Sequence, residues 1–259
     1  MNESESGIIA GLNPVLEALR ARGRTIRRVY LARGRSEAGV REILELAAAL
    51  DLKVQRVERA RLDRLAKGRS HQGVLALADP FEYSPLEELI ERTGSGPALL
   101  LLLDGVQDPM NLGSLLRSAE AAGAVGVIVP RERAAPVSPA VIKASAGAAE
   151  HLPVARVVNL ARTMEGLKAA GFWMVGADAD APESLYQVEL PERMGLVVGG
   201  EGTGLRRLTR EKCDRLVAIP LSGNVGSLNA AVAGAICLFE YVRRRPISPR
   251  PRPGLGSGD

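Results

Sequence analysis

One carboxylate, Glu201, stands inside the glycine run of "LVVGGEGTGLRRL". Glycine lets a backbone approach a ligand closely or adopt positive φ, which a β-carbon hinders. An acid in such a turn has few packing reasons to be there. Two other loops carry polar residues in comparable settings. In "DGVQDPMNLGSLLRSAEAAGA", residues 104–124, Pro109 and Asn111 start a helix, with Asn111 at the strand-to-helix turn, where it suits either a cap or a ligand contact. Leu112, Leu115, Leu116 and Ala119 recur at i, i+3, i+4 and i+7. Arg117 lies roughly 140° from the centre of that stripe and so points away from the core. In "IPLSGNVGSLNAAVAGAICLFE", residues 219–240, Ser227 can cap the helix that follows and Asn229 lies in its first turn. Leu228, Val232, Ala235 and Phe239 form its expected buried stripe.

Other chemistries fit less well. Gly200, Gly202 and Gly204 give G-x-G-x-G, not the G-x-G-x-x-G of dinucleotide sites, and the phosphate-binding lysine pattern is absent. The cysteines Cys213 and Cys237 and the histidines His71 and His151 are too few and too scattered for a zinc cluster or a disulfide framework. Metal-free catalysis is expected. Cys237 lies on an apolar helical face and reads as core, not as a nucleophile. Trp173, in "FWMVGA", also reads as core.

The elements that position these loops fall into two parts. From Ala98 onward, continuous apolar runs alternate with helical segments: "ALLLLLDGV", "GVIVP", "FWMVGAD", "MGLVVGG" and "LVAIPL". Such runs imply a parallel sheet covered on both faces, with ligands outside the carboxyl ends of its strands. Residues 1–78 read as a small α/β domain: helix "NPVLEALRA" with Asn13 as N-cap and Pro14 first, strand "RRVYLA", helix "EAGVREILELAAAL", strand "KVQRVE", short helix "RLDRLAKG" and strand "GVLALA". Residues 79–97, proline at both ends with a short acidic helix between, read as a linker. The expected boundaries are 1–78, 79–97, 98–245 and a basic tail at 246–259.

Clustered charge suits a polyanionic partner or a solvated surface equally. The chain has 34 Lys and Arg against 30 Asp and Glu, a net charge of +4, and the basic residues cluster. "RARGRTIRRVYLARGR" holds seven arginines and no acid, which makes Arg20, Arg22, Arg24, Arg27 and Arg28 candidate phosphate contacts, while His71 of "SHQG", just before a strand, suits a ligand contact and a structural turn role equally. The opening "MNESES" has no secretory pattern and "ALLLLLD" is too short to cross a bilayer, so a soluble cytoplasmic protein is expected.

Together, "QDPMNLGSLLRSAEAAGAVGVI", "VVGGEGTGL" and "IPLSGNVGSLNAAVAGAICLFE" resemble motifs one, two and three of the SpoU/TrmH branch of the SPOUT RNA 2′-O-methyltransferases. "GLNPVLEALRA", "SHQGVLALA" and "IKASAGAAEHLPVARVVNL" resemble the RlmB-type subgroup, which modifies guanosine in 23S rRNA and carries an N-terminal L30e-like RNA-binding domain.

The resemblance implies an α/β fold whose C-terminal methyltransferase domain is tied in a trefoil knot, S-adenosylmethionine in the knot crevice, a homodimer with the site near its interface, and large-subunit rRNA as partner. It implies catalytic roles for Asn111, Arg117, Glu201, Ser227 and Asn229, with Arg117 either taking the 2′-proton, ordered by the other four, or stabilising the developing alkoxide or a neighbouring phosphate. It also implies cofactor contacts at Gly199, Gly200, Glu201, Gly202, Ile219, Leu221 and Leu228. The alternatives are a tRNA 2′-O-methyltransferase, a noncatalytic RNA-binding assembly factor of the same fold and, least suited by its glycine spacing, a nicotinamide-dependent dehydrogenase.

Overall fold

The computed structural model describes residues 7–21, 26–34, 38–66, 68 and 70–245. Arg22, Arg24 and the stretch 246–259 lie outside the described residues.

The N-terminal part is a four-stranded sheet in the order β1-β4-β2-β3, built from β1 (Gly7–Ala10), β2 (Ile26–Ala32), β3 (Val54–Val57) and β4 (Val74–Ala78). β4 runs antiparallel to β1 and β2, while β3 is parallel to β2. Helices α1 (Leu12–Ala21), α2 (Ala38–Ala49) and α3 (Arg59–Ala66) cover it. The start of α1 differs from expectation. It begins at Leu12, just after Gly11 at φ 114°, and Gly11 O accepts from Val15 N at 3.2 Å. Asn13 is therefore inside the first turn, because a glycine with positive φ already turns the chain into the helix.

The stretch between the two sheets is packed down. It contains α4 (Leu86–Arg92), whose Leu89 is fully buried, and Tyr83 Oη accepts from Val137 N at 2.9 Å.

Seven parallel strands follow, in the order β7-β6-β5-β10-β8-β11-β9. These are β5 (Ala98–Asp104), β6 (Gly126–Pro130), β7 (Val154–Val157), β8 (Trp173–Ala177), β9 (Glu183–Ser184), β10 (Arg193–Gly199) and β11 (Arg215–Ala218). The apolar runs behave as their composition requires: all of β5 is buried, and so is β10 beyond Arg193. Trp173 departs from expectation. It opens β8 at the sheet's margin and is 54% exposed. The crossovers include α5 (Pro109–Ala121), α6 (Pro139–Ala144), α7 (Leu160–Ala169) and α8 (Arg207–Lys212), and the described chain closes with α9 (Ala230–Arg243).

The last helix buries a face other than the expected one. Ala231, Gly234, Cys237, Leu238 and Tyr241 face the core, while Val232 and Phe239 are 48% and 46% exposed. Gly234 decides this. A β-carbon there would stand 2.4 Å from Leu115 Cδ2, so α9 can press on α5 only along the glycine side.

Candidate active site

Three loops meet at the carboxyl ends of β5, β10 and β11, and a directional chain of hydrogen bonds links them. Asp108, not Asn111, caps α5, accepting from Met110 N at 3.1 Å and Asn111 N at 3.3 Å. That releases the Asn111 side chain. Asn229, not Ser227, caps α9, its Oδ1 accepting from Ala231 N at 2.9 Å and Val232 N at 3.2 Å. Its Nδ2 donates to Asn111 Oδ1 at 3.0 Å, and Asn111 Nδ2 donates to Glu201 Oε1 at 2.5 Å.

Neither amide can be turned without loss. A carboxylate only accepts, so Asn111 must present its NH2 to Glu201 and its oxygen to Asn229. Asn229 must then donate to Asn111 and accept from the helix, as its capping role already demands. The positive end of the α9 dipole, both amides and the carboxylate thus point the same way.

The glycine loop is held from beneath. The buried Asp104 at the end of β5 accepts from Arg206 N at 2.8 Å through its side chain and from Gly200 N at 2.9 Å through its carbonyl. A β-carbon on Gly200 would lie 2.2 Å from Gly105 O, and one on Gly199 would lie 2.1 Å from the Gly204 carbonyl carbon. Only glycine permits that closeness.

Between these loops opens a cavity of about 490 Å³, a size usual for small-molecule sites. Gly199, Gly200, Glu201, Gly202, Ile219, Leu221 and Leu228, the residues expected at a cofactor, all line it, and so does Ser227. Asn111, Asn229 and Arg117 are not in its lining. Arg117 is on the exposed side of α5, six residues beyond Asn111 and so about 9 Å along the axis; it makes no ion pair among the described residues. Sequence reasoning missed Asp178 and Arg210, which also line the cavity and pair at 2.6 Å. A lone acid at the end of a predicted strand, "FWMVGAD", was the available signal. Cys237 is buried, and its burial pushes the thiol up to about 12, which keeps it unreactive as expected of a core residue.

The expected RNA contacts look different in three dimensions. Arg20 is paired with Glu17 and Glu42, Arg27 with Asp79 and Arg33 with Glu58. The fold supplies carboxylates that the arginine run lacks in sequence. Arg28 is half-buried and makes no ion pair among the described residues. His71 is buried. It is 4% exposed, its Nδ1 accepts from Gly73 N at 3.0 Å and its Nε2 meets Asp63 Oδ1 at 2.9 Å. Both ring nitrogens are used in holding the turn before β4. His151 joins the C-terminal part of the chain to α1 through Glu17 Oε2 at 2.9 Å.

Residues 98–239 match the SpoU rRNA methylase family and residues 8–84 match the RNA 2′-O ribose methyltransferase substrate-binding family. The chain belongs to the SpoU rRNA methylase family. It is 45% identical over 242 residues to the 23S rRNA (guanosine-2′-O-)-methyltransferase RlmB of Pseudomonas putida, covering 92% of this chain and 97% of that one. Against the RlmB of Bordetella pertussis it is 45% identical over 239 residues, covering 92% and 97%. The SpoU methyltransferase AviRb of Streptomyces viridochromogenes, solved in complex with AdoMet, superposes with a TM-score of 0.77 at 27% identity, covering 93% of this chain and 91% of that one.

Proposed function

We propose that this protein transfers the methyl group of S-adenosylmethionine to the ribose 2′-hydroxyl of a guanosine in large-subunit (23S) rRNA. The observation that carries the reading is the Asn229–Asn111–Glu201 chain converging on a cavity whose lining suits the cofactor. The RlmB relatives, matched over nearly their full length, supply the substrate class. Val198, Val217, Ile219 and Leu221 provide apolar walls for an adenine, and the backbone of 199–204 provides polar groups close by. When bound, the cofactor supplies an electrophilic methyl on a sulfonium.

The chain's own residues do the rest by placement, which can supply roughly 7 to 11 kcal/mol of a barrier in favourable cases. Asn229 and Asn111 fix the Glu201 carboxylate at the cavity's lip, and Ser227 stands in the same lining. Arginines keep their proton in proteins, so Arg117 serves as a fixed cation that stabilises the developing 2′-alkoxide or a neighbouring phosphate, with the hydroxyl proton passing to solvent water. Arg28 contacts RNA directly. Arg20 and Arg27 exchange exposed carboxylate partners for phosphate, since such pairs are worth at most about 1 kcal/mol. Arg22 and Arg24 belong to the same proposed surface.

The rest of the proposal concerns assembly. The exposed Val232 and Phe239 stripe of α9 suits a second copy of the chain, giving a homodimer with an isologous contact. Threading of the last strands and helix into a trefoil knot rests on the family match. Residues 1–78 form the RNA-binding unit, 79–97 the connection and 98–245 the methyltransferase unit. A ribosomal RNA substrate puts the enzyme in the cytoplasm, and among the described residues no helix is long and apolar enough to cross a membrane.

The test is transfer of labelled methyl from S-adenosylmethionine to unmodified large-subunit rRNA and to bulk tRNA, followed by nucleoside mapping. 2′-O-methylguanosine in rRNA alone is expected. Label in tRNA alone overturns the substrate, and label in neither overturns the activity.

A further inference from the structure

Two carboxylates of the cavity keep different company. Glu201, beyond the end of β10, is turned toward α5 and receives a neutral amide donor from Asn111, so nothing in that contact offsets its charge. Asp178 lies one strand further along the sheet, just beyond β8. Arg210 of α8 donates through Nε to its Oδ2 at 2.6 Å, and Asp180 N donates to its Oδ1 at 2.9 Å. Its side chain is only 14% exposed. Burial alone raises a carboxylate's pKa, but the Arg210 and Asp180 donors outweigh it and hold this one below its usual range. Asp178 is thus an acceptor at neutral pH, with its charge already matched.

Each carboxylate oxygen has two acceptor positions, and the two donors above use one on each. A charge-matched acceptor favours neutral O–H donors, whereas an unmatched carboxylate favours a cation. An adenosyl sulfonium ligand offers both kinds: a vicinal diol on its ribose, and a sulfonium and an ammonium at the other end. We propose that Asp178, held in place by Arg210, accepts a ribose hydroxyl of the cofactor. The cofactor's direction in the cavity follows, with the cationic end toward Glu201 and Asn111. This rests on the reading of the cavity as the cofactor site.

Calorimetric titration of the full chain with S-adenosylhomocysteine and its 2′-deoxyribose and 3′-deoxyribose analogues tests it. Wild type should prefer S-adenosylhomocysteine by about ten-fold or more over the analogue lacking the contacted hydroxyl. Asp178→Ala should bind that pair within about two-fold of each other, because the acceptor is gone from one side and the donor from the other. Arg210→Ala should weaken all three ligands yet keep a preference. Should the alanine variant at 178 unfold, Asp178→Asn replaces it, with the preference cut to about three-fold by loss of the charge-assisted bond. A preference that survives intact in the Asp178 variants, or wild type binding all three ligands alike, overturns the assignment while leaving the cavity reading in place. Wild type binding none of them overturns both.

Discussion

The arginine run of the N-terminal sheet and the Asn229–Asn111–Glu201 chain both gather polar side chains from distant parts of the sequence, but they gather them differently. Arg20 and Arg27 are paired with carboxylates at sites where both partners are substantially exposed, an arrangement that depends on charge and barely on direction. The amide chain depends on direction throughout, since each group's donor and acceptor ends are committed by the next. Loose, solvent-screened pairs suit a surface that must trade partners for RNA. A fixed chain suits a site that must not move when its ligand arrives.

The sharpest break in that comparison comes from arginines themselves. Arg117, which makes no ion pair among the described residues, should be worth far more to the reaction than the paired ones. Arg117→Ala should lower methyl transfer about 10²- to 10³-fold while leaving S-adenosylhomocysteine binding intact, as single-turnover and titration measurements would report. Gly200→Ala acts on the other ingredient, the closeness of the loops. Its β-carbon would meet Gly105 O, so cofactor binding should fall at least about ten-fold and stability by about 1 to 3 kcal/mol in denaturant titration.

A third ionic site, Glu240, is 5% exposed and bonded to Arg243 and Arg244, so it stands between the two extremes. The Arg243 hydrogen bond, against the effect of burial and with help from Arg244, holds its carboxyl down to about 2. A depressed value stabilises the fold above the unfolded pKa of about 4.3 and loses that stabilisation as pH falls toward 2. Glu240→Gln should therefore cost about 1 to 2 kcal/mol near neutrality, allowing for solvent screening around Arg243, and progressively less as pH falls through about 2. Thermal melts of both proteins across that range check it. The smallest effect belongs to the arginine run. Arg28→Ala should flatten the dependence of log RNA affinity on log salt by about one unit, and Arg27→Ala by less, because Arg27 gives up an Asp79 pair to bind.

Much of this was legible in the residues. The apolar runs from Ala98 named the inner parallel strands, and the glycines and apolar residues of the second and third loops named the cavity lining. β1, β7 and β9 were not read: β9 is only two residues long, and β7 carries the exposed Arg156 in mid-strand. Asp108 and Asn111 are both good caps two or fewer positions from Pro109; the bonds that Met110 N and Asn111 N give Asp108 make it the cap, and the contact with Glu201 shows what Asn111 does instead. Helix α9 is apolar on more than one face, so its buried stripe depends on Leu115 of α5, a residue its own sequence cannot announce. The same holds for Asp178 and Arg210, paired across 32 positions, and for the carboxylates that meet Arg20 and Arg27.

The direction of the amide chain is the central claim, and Asn229→Asp tests it most directly. Aspartate can still accept from Ala231 N and Val232 N, so α9 stays capped and the melting temperature should stay within a few degrees. It cannot donate to Asn111. The account predicts a loss of methyl transfer of about ten-fold or more, with little further loss when Glu201→Gln is added, because both changes cut one chain. Wild-type transfer by Asn229→Asp, or losses that simply multiply in the double variant, would contradict it.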